Sequence, residues 1–192
     1  MGKLGFYYDN SRCTGCRACQ IMCKDTNNLP VGVIYRRVRS YEQGNYPNPG
    51  YYHFSWNCNH CENPACVSVC PVGAMHVADD GTVQPNDELC IGCRSCASAC
   101  PYEIPQLREE EALIGKCDSC KDIRAQGGKP ACVDACVMRC LDFGDLDELK
   151  QTYGSDLVSE LAILPSAKET GPSLLINPRQ CALEADFEEK II

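Results

Sequence analysis

Cys13, Cys16, Cys19 and Cys23 fall within the single stretch CTGCRACQIMC. CIGCRSCASAC repeats the spacing at Cys90, Cys93, Cys96 and Cys100, with Gly and Arg at the same interior positions. CNHCENPACVSVC (Cys58, Cys61, Cys66, Cys70) and CDSCKDIRAQGGKPACVDAC (Cys117, Cys120, Cys132, Cys136) share a second form. Each opens with C-x-x-C and closes with P-A-C-V-x-x-C, and only the loop between differs in length. Thiols this dense either pair as disulfides or bind metal. Disulfides fit poorly, because cysteines so close in sequence close loops too small to constrain the unfolded chain much. Structural zinc takes four ligands as two separated pairs. Here three cysteines stand at C-x-x-C-x-x-C with a fourth close behind, and His53, His60 and His76 show no zinc-type pairing. Iron–sulfur chemistry fits. Residues 90–101 match the run C-x-x-C-x-x-C-x-x-x-C-P in full, and residues 13–23 match it except that Lys24 stands in place of the proline.

The spacing has a geometric reason. A tight loop through Gly15 or Gly92 turns three thiolates toward three corners of one 4Fe–4S cubane but cannot reach the fourth. The last cysteine begins a helix-like segment and serves the neighbouring cluster. The two middle motifs form one continuous unit, which leaves the two outer motifs to pair with each other. The crossover then implies four ligand sets. Cys58, Cys61, Cys66 and Cys100 hold one cluster, and Cys70, Cys90, Cys93 and Cys96 hold a second. Cys13, Cys16, Cys19 and Cys136 hold a third, and Cys23, Cys117, Cys120 and Cys132 hold a fourth. The expected cofactors are therefore four 4Fe–4S clusters. Of the two remaining cysteines, Cys140 aligns with Ala74 of the internal repeat and reads as a small buried residue. Cys181 stands alone.

Each oxidised cluster with its thiolates adds about −2, taking the formal −8 of the chain to about −16. Cations and backbone N–H groups must offset that charge. Arg17 and Arg94 share one motif position, and Lys24, Lys116 and Lys121 flank other motifs; solvated surface charge is the competing reading for each. The three arginines of YRRVR, Arg36, Arg37 and Arg39, read as a solvated strand face.

The positioning elements follow. The motif order is first form, second form, first form, second form, which marks an internal duplication. The expected fold class is α+β: two ferredoxin-like 2×(4Fe–4S) units, one inserted in the other, with a β-hairpin and an extended C-terminal tail. The outer unit spans residues 1–32 plus 105–150, the hairpin 33–57, the inner unit 58–104 and the tail 151–192. Strands are expected over about 33–41 and 51–56, around a Gly/Asn/Pro loop. Two short strands, 74–77 and 82–84, should flank the Asp80–Gly81 turn. A helix is expected from 145 to 153, ending at Gly154. Trp56 reads as packing rather than relaying electrons. The tail, with an extended segment at 173–176, is expected to lie along a larger partner subunit, the alternative being a strap folded back on its own domain.

The 192 residues carry no apolar run long enough to span a bilayer, and the negative charge argues against nucleic acid as a partner. The opening MGKLGFYYDNSRC has no apolar signal region. No G-x-G-x-x-G loop is present, and with every iron holding a protein ligand no position is open to a substrate. The chain is therefore not expected to be an enzyme by itself.

The four motifs in this order, with CNHCENPACVSVCPVGAMH and the LDFGDLDEL that follows the last motif, resemble the iron–sulfur subunits of the dimethyl sulfoxide reductase family over about residues 3–150. Val137 departs from the proline common after the last cysteine, whereas Lys24 is usual. The resemblance implies an electron-transfer subunit. It would relay electrons between a large molybdopterin catalytic subunit and a quinone-reactive membrane subunit or another redox partner. The outer clusters would lie nearer molybdenum, and the cluster of Cys70, Cys90, Cys93 and Cys96 at the far terminus. A free-standing four-cluster ferredoxin is the alternative, and a zinc-binding interaction module the alternative from another class. The expected location is cytoplasmic, or membrane-associated or exported together with a partner subunit.

Overall fold

A computed structural model describes residues 2–191. The secondary structure is short, because the chain spends its length placing cysteines. Strand β1 (Leu4–Asp9) precedes helix α1 (Ala18–Thr26), which carries the end of the first motif. Strands β2 (Arg37–Gln43) and β3 (Gly50–Trp56) form the expected hairpin, paired from Arg37↔Trp56 to Gln43↔Gly50. The hairpin starts later than expected because the backbone of Ile34 bonds a side chain. Its N–H donates to Gln106 Oε1 at 2.9 Å, and its carbonyl accepts from Gln106 Nε2 at 2.7 Å.

The inner unit contains α2 (Ala65–Ser68), the hairpin β4 (Met75–Val77) and β5 (Val83–Pro85), and α3 (Ser95–Ala99). The hairpin β6 (Gln106–Arg108) and β7 (Leu113–Gly115) follows. Helices α4 (Lys121–Ala125) and α5 (Ala131–Asp134) carry the last motif. Then come β8 (Leu141–Asp145), α6 (Leu146–Tyr153), α7 (Ala167–Thr170), β9 (Leu174–Asn177), a 3₁₀ turn at Gln180–Leu183, and β10 (Phe187–Lys190). Asp145 caps α6, its carboxylate accepting from the N–H groups of Asp147 and Glu148, and Gly154 (φ 102°) ends it.

The duplication is visible in the backbone. Gly15 and Gly92 take φ +68° and +67°, and Arg17 and Arg94 take φ 62° and 64° immediately before α1 and α3. This left-handed conformation costs glycine little. In the second form, Pro64 and Pro130 precede helices of four residues each. Helix α1 packs on α5, and α2 on α3, so motifs pair outer with outer and inner with inner. Strand β1, before the first motif, pairs antiparallel with β8, after the last.

Two expectations are corrected. The tail folds back on its own domain. Strand β9 adds to β1 in parallel, giving the order β8-β1-β9, and β10 pairs with β2. Leu174, Leu175, Ile176 and Leu161 are buried, and Leu157 packs against Tyr7, Leu149 and Leu175. The sheet built on β1 had an open edge and apolar faces, and the tail supplies both a strand and a cover. The second correction concerns the segment 106–115, assigned by sequence to the outer unit. Leu107 and Ile114 pack with Cys66, Met75, Val83 and Cys96 of the inner unit.

Candidate metal centres

Helix geometry divides the thiols. Cys19 and Cys23 lie one turn apart on α1, so they share a face at different heights. Cys132, Cys66 and Cys96 lie on α5, α2 and α3, whereas Cys136, Cys70 and Cys100, four residues on in each case, fall just beyond the helix ends. One hollow is lined by Cys13, Cys16, Cys19 and Cys136 together with Cys140, Tyr8, Val38 and Met138. A second is lined by Cys70, Cys90, Cys93 and Cys96 with Met75, Ile91 and Ile114. Two further sets of thiols remain. Cys58, Cys61, Cys66 and Cys100 act on one another electrostatically, as do Cys23, Cys117, Cys120 and Cys132. Cys117 also senses Cys58, which puts the outer and inner units side by side.

The sulfurs receive hydrogen bonds. The N–H groups of Met75, Ile114, Ser119 and Cys140 approach Cys70, Cys90, Cys117 and Cys136 at 3.4 Å each. Asn27 Nδ2 approaches Cys23 at 3.7 Å. Ser55 Oγ lies 3.4 Å from Cys19 Sγ. Burial pushes the Cys23 and Cys66 thiols up to about 12 and Cys61 up to about 11, with neighbouring thiols adding to the effect. Cys13 moves the other way, to about 6, because Cys140 hydrogen-bonds to it; Cys140 is pushed up and keeps the proton. Cys140 is buried, as expected, and lines the same hollow with its Sγ 3.4 Å from Cys136 Sγ.

Three polar groups stand beside the thiols, and of these only Lys116 was a candidate counter-charge in the sequence. His60 is fully buried; its Nδ1 accepts from the Val83 N–H at 3.0 Å, which leaves Nε2–H to face Cys117 Sγ at 3.9 Å. Burial, then Lys116 and Arg124, hold its pKa well below the ordinary histidine value, so it is a neutral donor. Lys116, left open by sequence, is buried, with Nζ 3.5 Å from Cys58 Sγ and 2.8 Å from the Cys117 carbonyl. Arg36 corrects the reading of a solvated arginine face, for it is 1% exposed. Arg37 and Arg39 do face outward; Arg39 pairs with Glu189 at 3.3 Å and lies over the Trp56 ring. Strand alternation was the available signal, since Arg36 is in phase with buried Val38 and Ser40. Arg94 and Lys121 remain exposed, and Lys24 bonds the Pro30 and Val33 carbonyls. Trp56 is half-buried, and its Nε1–H donates to the Tyr102 carbonyl at 2.9 Å.

Thiols set around apolar cavities, met by N–H donors and buried cations, suit a polynuclear, anionic iron–sulfur group. Among the described residues no helix is long and apolar enough to cross a membrane.

Comparison with known proteins agrees. Two models described as 4Fe-4S dicluster domain match residues 50–146 and 12–74. The sequence is 45% identical over 184 residues to the B subunit of anaerobic dimethyl sulfoxide reductase from Escherichia coli K12, covering 92% of this protein and 89% of that one. It is 44% identical over 191 residues to the subunit of the same name from Haemophilus influenzae, covering 95% and 92%. It is 41% identical over 149 residues to protein NrfC of Escherichia coli K12, covering 76% and 67%.

Proposed function

We propose, from the premise that this chain belongs to the family of 4Fe-4S dicluster proteins that includes the B subunits of anaerobic dimethyl sulfoxide reductase, that it is a non-catalytic electron-transfer subunit. It relays electrons between a molybdopterin catalytic subunit and a quinone-reactive membrane subunit or another redox partner. Four 4Fe–4S clusters would supply one-electron carriage. Cys13, Cys16, Cys19 and Cys136 hold the first in line, and Cys23, Cys117, Cys120 and Cys132 the second. Cys58, Cys61, Cys66 and Cys100 hold the third, and Cys70, Cys90, Cys93 and Cys96 the last.

One observation carries this reading. Among the motif cysteines only Cys16 and Cys93 are exposed, and they belong to the two end groups. The middle groups have no exposed cysteine, their Cys61, Cys100 and Cys120 being half-buried and the rest buried. A row of redox sites insulated in the middle and open at each end is what a relay between two partners needs. Exposed Ile91 and Val72 stand beside Cys93, and exposed Val137 follows Cys136, so both openings are apolar enough to exclude water when a partner docks. The remaining residues hold the sites still. Ser55 and the backbone N–H groups orient sulfurs, and Lys116 and His60 bridge the second and third groups with a charge and a proton donor that need not move.

The test is electron delivery. Anaerobically reduced protein is mixed with the molybdopterin subunit that co-purifies with it, in the presence of that subunit's electron acceptor. Visible absorbance bleached by reduction should return on catalytic addition of the partner. A partner that turns over with a dye but never reoxidises this chain would overturn the proposal, as would isolation of the chain only as a monomer with no such subunit.

A further inference from the structure

We propose that Arg36 is a buried counter-cation shared by the two outer cysteine groups, and that its charge, rather than its bulk, raises the reduction potentials of the clusters those groups hold. The inference rests on the ligand sets proposed above and adds a residue to them.

Arg36 is the largest fully buried side chain of the molecule. A guanidinium out of water is costly unless it is paired, yet among the described residues no carboxylate lies within ion-pair reach of it. One arm, Nη1, donates to Ser55 Oγ at 2.8 Å and to the Ser55 carbonyl at 3.4 Å. Nε and Nη2 have no hydrogen-bond partner. One face lies over the Phe6 ring at 4.9 Å, a contact that supports the cation but does not neutralise it. What remains around it is sulfur. Its electrostatic neighbours include Cys132, Cys19, Cys117 and Cys23. Cys19 belongs to one outer group, and the other three to the next.

Ser55 extends the arrangement. Its oxygen accepts from Arg36, which leaves its O–H free to donate to Cys19 Sγ at 3.4 Å. A cation donating to a hydroxyl strengthens that hydroxyl as a donor. The guanidinium thus acts on one outer group through space and on the other both through space and through Ser55. Positive charge beside a cluster that becomes more negative on reduction favours the reduced form. At the inner terminal group, Cys96 feels burial first, and the side chains that act on it are the thiols of Cys70 and Cys90. Two of four clusters should therefore depend on Arg36.

The experiment compares native protein with Arg36→Met and Arg36→Lys, each as the full chain purified anaerobically. Iron and sulfide are counted first, and potentials are then measured by redox titration followed by electron paramagnetic resonance. In Arg36→Met two of the four signals should titrate at lower potential and two should not move. Arg36→Lys, which keeps the charge, should restore most of the shift. If Arg36→Met loses clusters, Arg36→Lys decides, because the proposal requires it to keep its iron and titrate near native. Native potentials in Arg36→Met would overturn the proposal, as would equal shifts or equal iron loss in both variants. Native protein without iron would instead overturn the underlying functional reading, which keeps the two failures distinct.

Discussion

Cys140 places a fifth thiol beside Cys13, Cys16, Cys19 and Cys136, and its internal-repeat counterpart is Ala74. Its raised pKa and its hydrogen bond to Cys13 cast it as a proton donor to sulfur rather than a ligand. Cys140→Ala should therefore keep the full iron complement, while Cys136→Ala should lose or destabilise one cluster. Iron analysis of both variants checks this, and equal iron loss would make Cys140 a ligand. At this scale the cysteine motifs stand out in the sequence, whereas Arg36 and His60 do not. Spacing such as C-x-x-C-x-x-C-x-x-x-C reports local geometry that the chain enforces by itself. Arg36 acquires its role from Ser55 and from thiols more than eighty residues away, such as Cys117 and Cys132. His60 faces Cys117, 57 positions distant, for the same kind of reason.

Strand β9 is the element whose place the sequence concealed. SLLI reads as extended, but whether it pairs with its own domain or with another chain depends on the free edge of β1, and no local pattern reports that. The hairpins and α6 were legible because their turns, caps and periodicity lie within them: Asp80–Gly81 at one turn, Asp145 and Gly154 at the helix ends. Since Ile176 is fully buried between β1 and the 158 bridge, Ile176→Ala should cost about 2–5 kcal/mol of unfolding free energy. Glu188→Ala on exposed β10 should stay within about 0.5 kcal/mol. Anaerobic denaturant titration measures both. An unaffected Ile176→Ala protein would mean that the tail is dispensable to the fold.

Across the whole molecule, buried thiols share the interior with the apolar core, so metal loading is expected to be coupled to folding. The iron-free fold would favour protonated thiols, because Cys23 and Cys66 are pushed up to about 12. Their contribution to an iron-free fold is complete below the ordinary thiol pKa and is lost as pH rises past that value toward about 12. Iron binding must displace those protons. Anaerobic reconstitution with ferrous iron and sulfide should therefore release acid, and should proceed further at about pH 8 than at about pH 6. Equal loading at both would mean that the sulfurs are already ionised. The central claim is that every motif cysteine serves a cubane, and counting metal tests it most directly. Native protein purified without oxygen should hold about sixteen irons and as many acid-labile sulfides per chain. Folded protein holding zinc, or no more than about eight irons, would contradict it.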